Sequence, residues 1–112
     1  MDEVEELVQV SKAFSDPTRL RLLQLLRENQ SPTADHGQAC HGHGFLCVNA
    51  MAHRLGVTQS AVSQHLRVLK QVGLVNRERH GSFVHYSLDA ERVRRHAAML
   101  ESVLGIALAG EG

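Results

Sequence analysis

Apolar residues recur at helical spacing from the start of the chain. Val4, Leu7, Val8, Val10 and Phe14 fall mostly on one side of a helix predicted over residues 2–14. Its opening acids, Asp2, Glu3, Glu5 and Glu6, suit the positive end of a helix dipole. Ser15-Asp16-Pro17 breaks this run and starts another, because Asp16 can cap a helix and Pro17 fits its first position. Leu20, Leu22, Leu23, Leu25 and Leu26 predict a strongly buried second helix to about residue 28, with Arg19, Arg21 and Arg27 on its wetter face. The pattern stops over 29–44, where Pro32, Gly37, Gly42 and Gly44 rule out a stable helix. A loop of that length needs a reason.

Helical spacing returns at 46–55, with Leu46, Val48, Met51, Ala52 and Leu55 facing inward. Gly56-Val57-Thr58 reads as a tight turn, and Thr58 caps a fourth helix over about 59–72 that buries Val62, Leu66, Leu69 and Val72. Gly73 ends it in a left-handed conformation. Leu74–Arg79 and Ser82–Leu88 then read as two strands about a tight turn at His80-Gly81. Phe83, His85 and Ser87 share one face of the second strand, and Val84, Tyr86 and Leu88 the other. A last helix over about 90–108 carries a stripe of Val93, Ala97, Leu100 and Leu104. The order is α-α-α-α-β-β-α, mainly α with a small β-hairpin (α+β), which is the winged helix-turn-helix pattern. The expectation is one DNA-binding and dimerisation domain over 1–112, interrupted by a His/Cys/Gly-rich loop at 29–45.

Within that order, residues 51–66 are the most informative. Ala52 is small where two helices cross closely, Gly56 permits the turn, and Val57 and Val62 fill the angle between the helices. The outer face of the following helix is Gln59, Ser60, Ser63, Gln64, His65 and Arg67. Solvated helix faces usually carry Glu and Lys. A Gln/Ser/His face can instead read base edges in the major groove, with Gln suited to adenine and Arg to guanine. Arg77, Arg79 and His80 on the hairpin are placed to neutralise flanking phosphates of double-stranded DNA. The bland alternative is a solvated helix pair in a protein–protein domain.

Charge refines this picture. The 12 basic and 12 acidic side chains cancel, so a bulk basic signal is absent. Their distribution is uneven. Residues 1–10 hold acids and no Lys or Arg, residues 54–88 hold Arg54, Arg67, Lys70, Arg77 and Arg79 against Glu78, and Arg92, Arg94 and Arg95 form a second basic cluster. A chain of 112 residues builds a limited core, here from Leu, Val and Ala, since Phe14, Phe45, Phe83 and Tyr86 are its whole aromatic set. Pairing with a second copy would bury more apolar surface. No run is long and apolar enough to span a membrane, and the acidic start lacks the basic region of a secretory signal, so the expected location is cytoplasmic. Two cysteines in a reducing compartment point to metal, redox sensing or packing.

Four stretches together resemble the ArsR/SmtB family of metal-responsive repressors: Ser15 to Leu23, Leu55 to Leu66, Gly73-Leu74-Val75, and Gly81 through Tyr86-Ser87-Leu88. The resemblance covers about residues 7–90. It implies a homodimer paired through the first and last helices. It also implies an inverted-repeat operator in a promoter, released when an effector binds.

Residues 35–47 hold both cysteines and three of the eight histidines, so His36, Cys40, His41, His43 and Cys47 are candidate ligands for Zn or another thiophilic metal or metalloid ion. One class of sensor in the resembled family uses a Leu-Cys-Val-Cys pattern at this point. Leu46-Cys47-Val48 matches, but Asn49 stands where the second thiolate belongs, and Cys40 could replace it. A second class uses Asp and His on the last helix, where this chain has His96 alone. Other readings stay open: a loop without a ligand, Cys47 as a small core residue, a Cys40–Cys47 disulfide formed under oxidative or sulfur stress, or a DNA-binding domain that senses nothing. An enzyme is not expected, because Asp35 is the loop's acid and no His-Glu-X-X-His helix exists.

Overall fold

The structure, a computed structural model, describes residues 2–29 and 46–108. Its elements are α1 (Glu3–Phe14), α2 (Pro17–Asn29), β1 (Leu46–Cys47), α3 (Val48–Leu55), α4 (Gln59–Gln71), β2 (Val75–His80), β3 (Phe83–Leu88) and α5 (Ala90–Leu104). The strands form one antiparallel sheet in the order β1-β3-β2.

Helix starts follow the local sequence. Asp2 and Glu5 form a reciprocal capping box on α1, with Glu5 N donating to Asp2 Oδ1 at 2.8 Å and Asp2 N donating to Glu5 Oε1 at 3.1 Å. Arg19 N donates to the Asp16 carboxylate at 3.1 Å, with Pro17 as the first residue of α2. Thr58 Oγ1 accepts from Ala61 N at 3.0 Å, and Asp89 Oδ1 from Arg92 N at 3.1 Å. The carboxyl of Asp16 is held below its usual range, chiefly by the Arg19 backbone N–H against a smaller opposing effect of burial.

The core joins α2, α3, α4, the sheet and the inner side of α1. Val10, Leu22, Leu26, Leu46, Met51, Val62, Leu66, Leu69, Leu74 and Val75 are fully buried. Helices α1 and α5 pack on each other beside this core.

Several expectations are corrected. Residues 46–47 were expected to open the third helix but form β1, pairing with Tyr86 and His85. That pairing covers an edge of β3 which a helical start would leave open. The hairpin turn is Gly81-Ser82 rather than His80-Gly81, since His80 pairs with Phe83 and Gly81 takes φ 64°. The last helix ends at Leu104, four residues early, where Gly105 turns left-handed at φ 72°. Val4, Val8 and Leu20 are exposed rather than inward, and so are Ala97 and Leu104 of the α5 stripe. On β3 the polar face is the buried one: His85 is 5% and Ser87 8% exposed, because β3 is the middle strand and α2 and α3 pack against it. Among the described residues no helix is long and apolar enough to cross a membrane.

Candidate nucleic-acid interface

The turn between α3 and α4 positions the surface. Gly56 caps α3 at φ 68°, its N–H donates to His53 O at 3.3 Å, and Val57 N donates to Ala52 O at 3.1 Å. Ala50, Met51 and Ala52 are buried beneath α4, so the small residues allow the close crossing. Gln59 Nε2 donates to Asn49 Oδ1 at 2.9 Å and ties the start of α4 to α3.

Helix α4 buries Val62, Leu66 and Leu69 and leaves Gln59, Ser60, Ser63, Gln64 and Arg67 exposed. His65 sits elsewhere. With Ala61 and Val68 it forms the half-buried flank of α4, and it turns back toward the start of α2. Arg19 Nη1 lies 3.2 Å from His65 Nδ1, and Asp16 Oδ2 lies 3.8 Å from His65 Nε2. Arg19 also donates from Nε to Ala13 O at 2.7 Å and from Nη2 to Lys12 O at 3.3 Å. His65 therefore docks α4 onto α1 and α2, and five of the six expected α4 residues form the outward face.

Arg77 and Arg79 are exposed on β2, and His80 is the last residue of that strand. Between α4 and the sheet runs a polar cleft of about 330 Å³, lined by Ser63, Arg67, Lys70, Arg77 and Tyr86 among others. Lys70 was not among the expected contacts. Its spacing three residues after Arg67, on the same helix face, is the signal that finds it. Among the described residues no ion pair engages Arg67, Lys70, Arg77 or Arg79. A cationic cleft beside an exposed Gln/Ser face is suited to a phosphodiester backbone with base edges beyond it.

Of the residues expected to hold an effector, one lies among the described residues. His36, Cys40, His41 and His43 lie outside the described residues. Cys47 is buried as the N-cap of α3, opposite His85 in the sheet, and its sulfur is in a disulfide. A disulfide sulfur offers no thiolate to a metal, so in this state Cys47 does not fit the ligand role. Among the described residues no group of three or more His, Cys, Asp or Glu is gathered as a metal site. His96 packs on the Phe14 ring with centroids 5.0 Å apart. Burial first, and Arg92 second, hold its imidazole pKa below the usual value.

The turn, the polar α4 face and the strand hairpin define a DNA-binding winged helix-turn-helix protein. The helix-turn-helix domain family matches residues 14–78. Over 87% of the chain it is 34% identical to an uncharacterised helix-turn-helix transcriptional regulator of Bacillus subtilis, covering 97% of that protein. It is 31% identical over 80% of its length to a cadmium resistance transcriptional regulatory protein homologue of Staphylococcus aureus, covering 63% of that protein. An ArsR-like transcriptional regulator from Rhodococcus superposes with a TM-score of 0.69 at 28% identity, covering 91% of this chain and 82% of that one. A homodimeric winged helix-turn-helix domain from Mycobacterium bovis superposes with a TM-score of 0.63 at 25% identity, covering 91% and 81%. The chain belongs to the ArsR/SmtB family of winged helix-turn-helix transcriptional regulators; it is a DNA-binding regulator and not an enzyme.

Proposed function

We propose that two copies of the chain bind an inverted-repeat operator and repress the promoter it overlaps. The observation that carries this reading is the exposed face of Gln59, Ser60, Ser63, Gln64 and Arg67 beside Arg77 and Arg79, whose charges no described acid neutralises. Pairing is supported by apolar side chains left in water on α1, α5 and the residues after it: Val4, Val8, Val103, Leu104, Ile106 and Leu108. A patch of this kind favours a partner surface, and the superposable domain from Mycobacterium bovis is a homodimer. Two-fold symmetry puts two α4 helices in successive major grooves.

Release is assigned to the segment that leads into α3. In the metal form of this reading, reduced Cys47 and Cys40 with His36, His41 and His43 take Zn or another thiophilic ion, as the likeness to a cadmium resistance regulator suggests. The disulfide at Cys47 favours a second form, a thiol switch. Cys47 and a second thiol, with Cys40 the chain's other cysteine, lose two electrons and two protons to a peroxide, which is reduced to water. Either event acts at the N-terminus of α3 and at the β1–β3 pairing, so it shifts the reading unit against the dimer axis.

Selection from randomised duplexes tests the first claim: an inverted repeat is expected, and enrichment of no sequence would overturn it. Fluorescence anisotropy on the selected duplex separates the two forms. Zn, Cd or As(III) releasing the reduced protein supports the metal form. Release by peroxide, reversed by dithiothreitol and lost in Cys47→Ser, supports the thiol switch.

A further inference from the structure

Arg92 touches three elements with one side chain. Its Nε donates to the carbonyl of Val72, the C-cap residue of α4, at 2.8 Å. Its Nη1 donates to Glu6 Oε2 on α1 at 2.7 Å. Its own helix, α5, starts just before it at the Asp89 cap. The stem packs where Gly73 lacks a side chain, since a Cβ there would meet Arg92 atoms at 3.5–3.6 Å, and Gly73 holds φ 80°. The Arg92 and Glu6 side chains are both 20% exposed.

This geometry differs from that of the neighbouring arginines. Arg94 makes an exposed pair with Glu91 in its own helix, and Arg95 reaches Glu6 from a side chain that is 63% exposed. Such pairs contribute little. Arg92 satisfies a carbonyl that the end of α4 leaves without an intrahelical partner, and it does so with a charge that suits that end of the helix. The guanidinium is planar and its donors diverge at fixed angles. A rigid fork joining Val72 to Glu6 therefore fixes the C-terminal end of α4 against the α1–α5 layer. Arg19 performs a related task at mid-helix, through His65.

We infer that Arg92 is a positioning residue for operator reading: it sets where α4 stands relative to the α1–α5 layer, and hence the separation of two reading helices in a dimer. The inference rests on the homodimeric reading above. One α4 helix on one half-site is indifferent to its distance from the dimer axis. Two helices that must enter grooves one DNA turn apart are not. Loss of Arg92 should thus blur spacing preference and leave the chemistry of each half-site alone.

The test compares wild type, Arg92→Gln, Arg92→Lys and Glu6→Gln on three duplexes: the selected repeat, the repeat with one base pair inserted between its halves, and a single half-site. Arg92→Gln is expected to remain a dimer and to lose about tenfold or more in affinity for the repeat, the scale of one charge-assisted hydrogen bond. Its half-site affinity should stay within about twofold, so the gap between native and expanded spacing narrows. Arg92→Lys reaches one partner at a time and should fall between, and Glu6→Gln should shift the same ratio by less. A folded Arg92→Gln dimer with wild-type spacing discrimination overturns the inference. So does an equal loss on repeat and half-site, which marks a general structural role. If Arg92→Gln fails to fold, the spacing ratio of Glu6→Gln decides in the same way. A wild-type chain that prefers no spaced repeat instead overturns the dimeric reading, and this inference with it.

Discussion

The two basic regions of this molecule use the same side chains to opposite ends. Along α5, Arg92 and Arg95 meet Glu6 of α1, and Arg94 meets Glu91. Around α4 and β2, Arg67, Lys70, Arg77 and Arg79 meet no carboxylate among the described residues. Glu6 is held below the usual carboxylate range, first by its hydrogen bond to Arg92 and against a smaller opposing effect of burial. The first region pairs its charge within the protein, and its part-buried member, Arg92, fastens α5 to α1 and α4. The second leaves its charge unpaired among the described residues, as the proposed binding of a polyanion requires. A formal net charge of zero conceals this division, so the sum of charges is a poor guide to nucleic-acid binding and their pairing is a better one.

The contrast can be broken in order of effect. Replacing both Arg67 and Arg77 by Ala should weaken duplex binding most, by about a hundredfold at low salt, and should reduce the salt slope by about two while the thermal midpoint holds. Unchanged salt dependence in a titration series would show that the free cations do not face phosphate. Gln64→Ala sharpens the picture differently. It should cost about 1–3 kcal/mol on the selected repeat, with little change on random duplex and the same salt slope. Glu6→Gln acts on the other region: calorimetry should show a midpoint lower by a few degrees, while binding to random duplex keeps its salt slope.

The smallest effect is on pH. His96 and Glu6 both have folded values below their ordinary 6.5 and 4.5. The unfolded chain therefore binds more protons, and the stability each contributes is present above its ordinary value and lost as pH falls through the folded value. The thermal midpoint should decline below about pH 6.5 through His96 and again below about pH 4.5 through Glu6. His96→Gln should flatten the first step, and an unaltered profile would refute the assignment.

Much of the fold is legible along the chain because its cues are local. Caps at Asp16 and Thr58 and left-handed glycines at Gly56 and Gly73 act within a few residues of where they stand. The outward face of α4 follows from the spacing of Val62, Leu66 and Leu69. What escaped is non-local. Leu46 fits the helical spacing that follows it, yet with Cys47 it forms a strand, because their partners Tyr86 and His85 come from much later in the chain. The inward turn of His65 depends on Arg19 and Asp16, and the burial of His85 and Ser87 on what packs over β3. Val4, Val8 and Leu20 obey the helical pattern yet stay in water, since periodicity selects a face without saying what covers it.

The linear order of residues was sufficient for the helix-turn-helix, the two hairpin strands and the exposed Gln/Ser/Arg face of α4, because which positions share a face follows from the spacing within one element. Only the packed structure decided which arginines are consumed in fastening and which stay free. That choice depends on whether a carboxylate or carbonyl from a distant element comes within hydrogen-bonding reach, as Glu6 and Val72 do for Arg92.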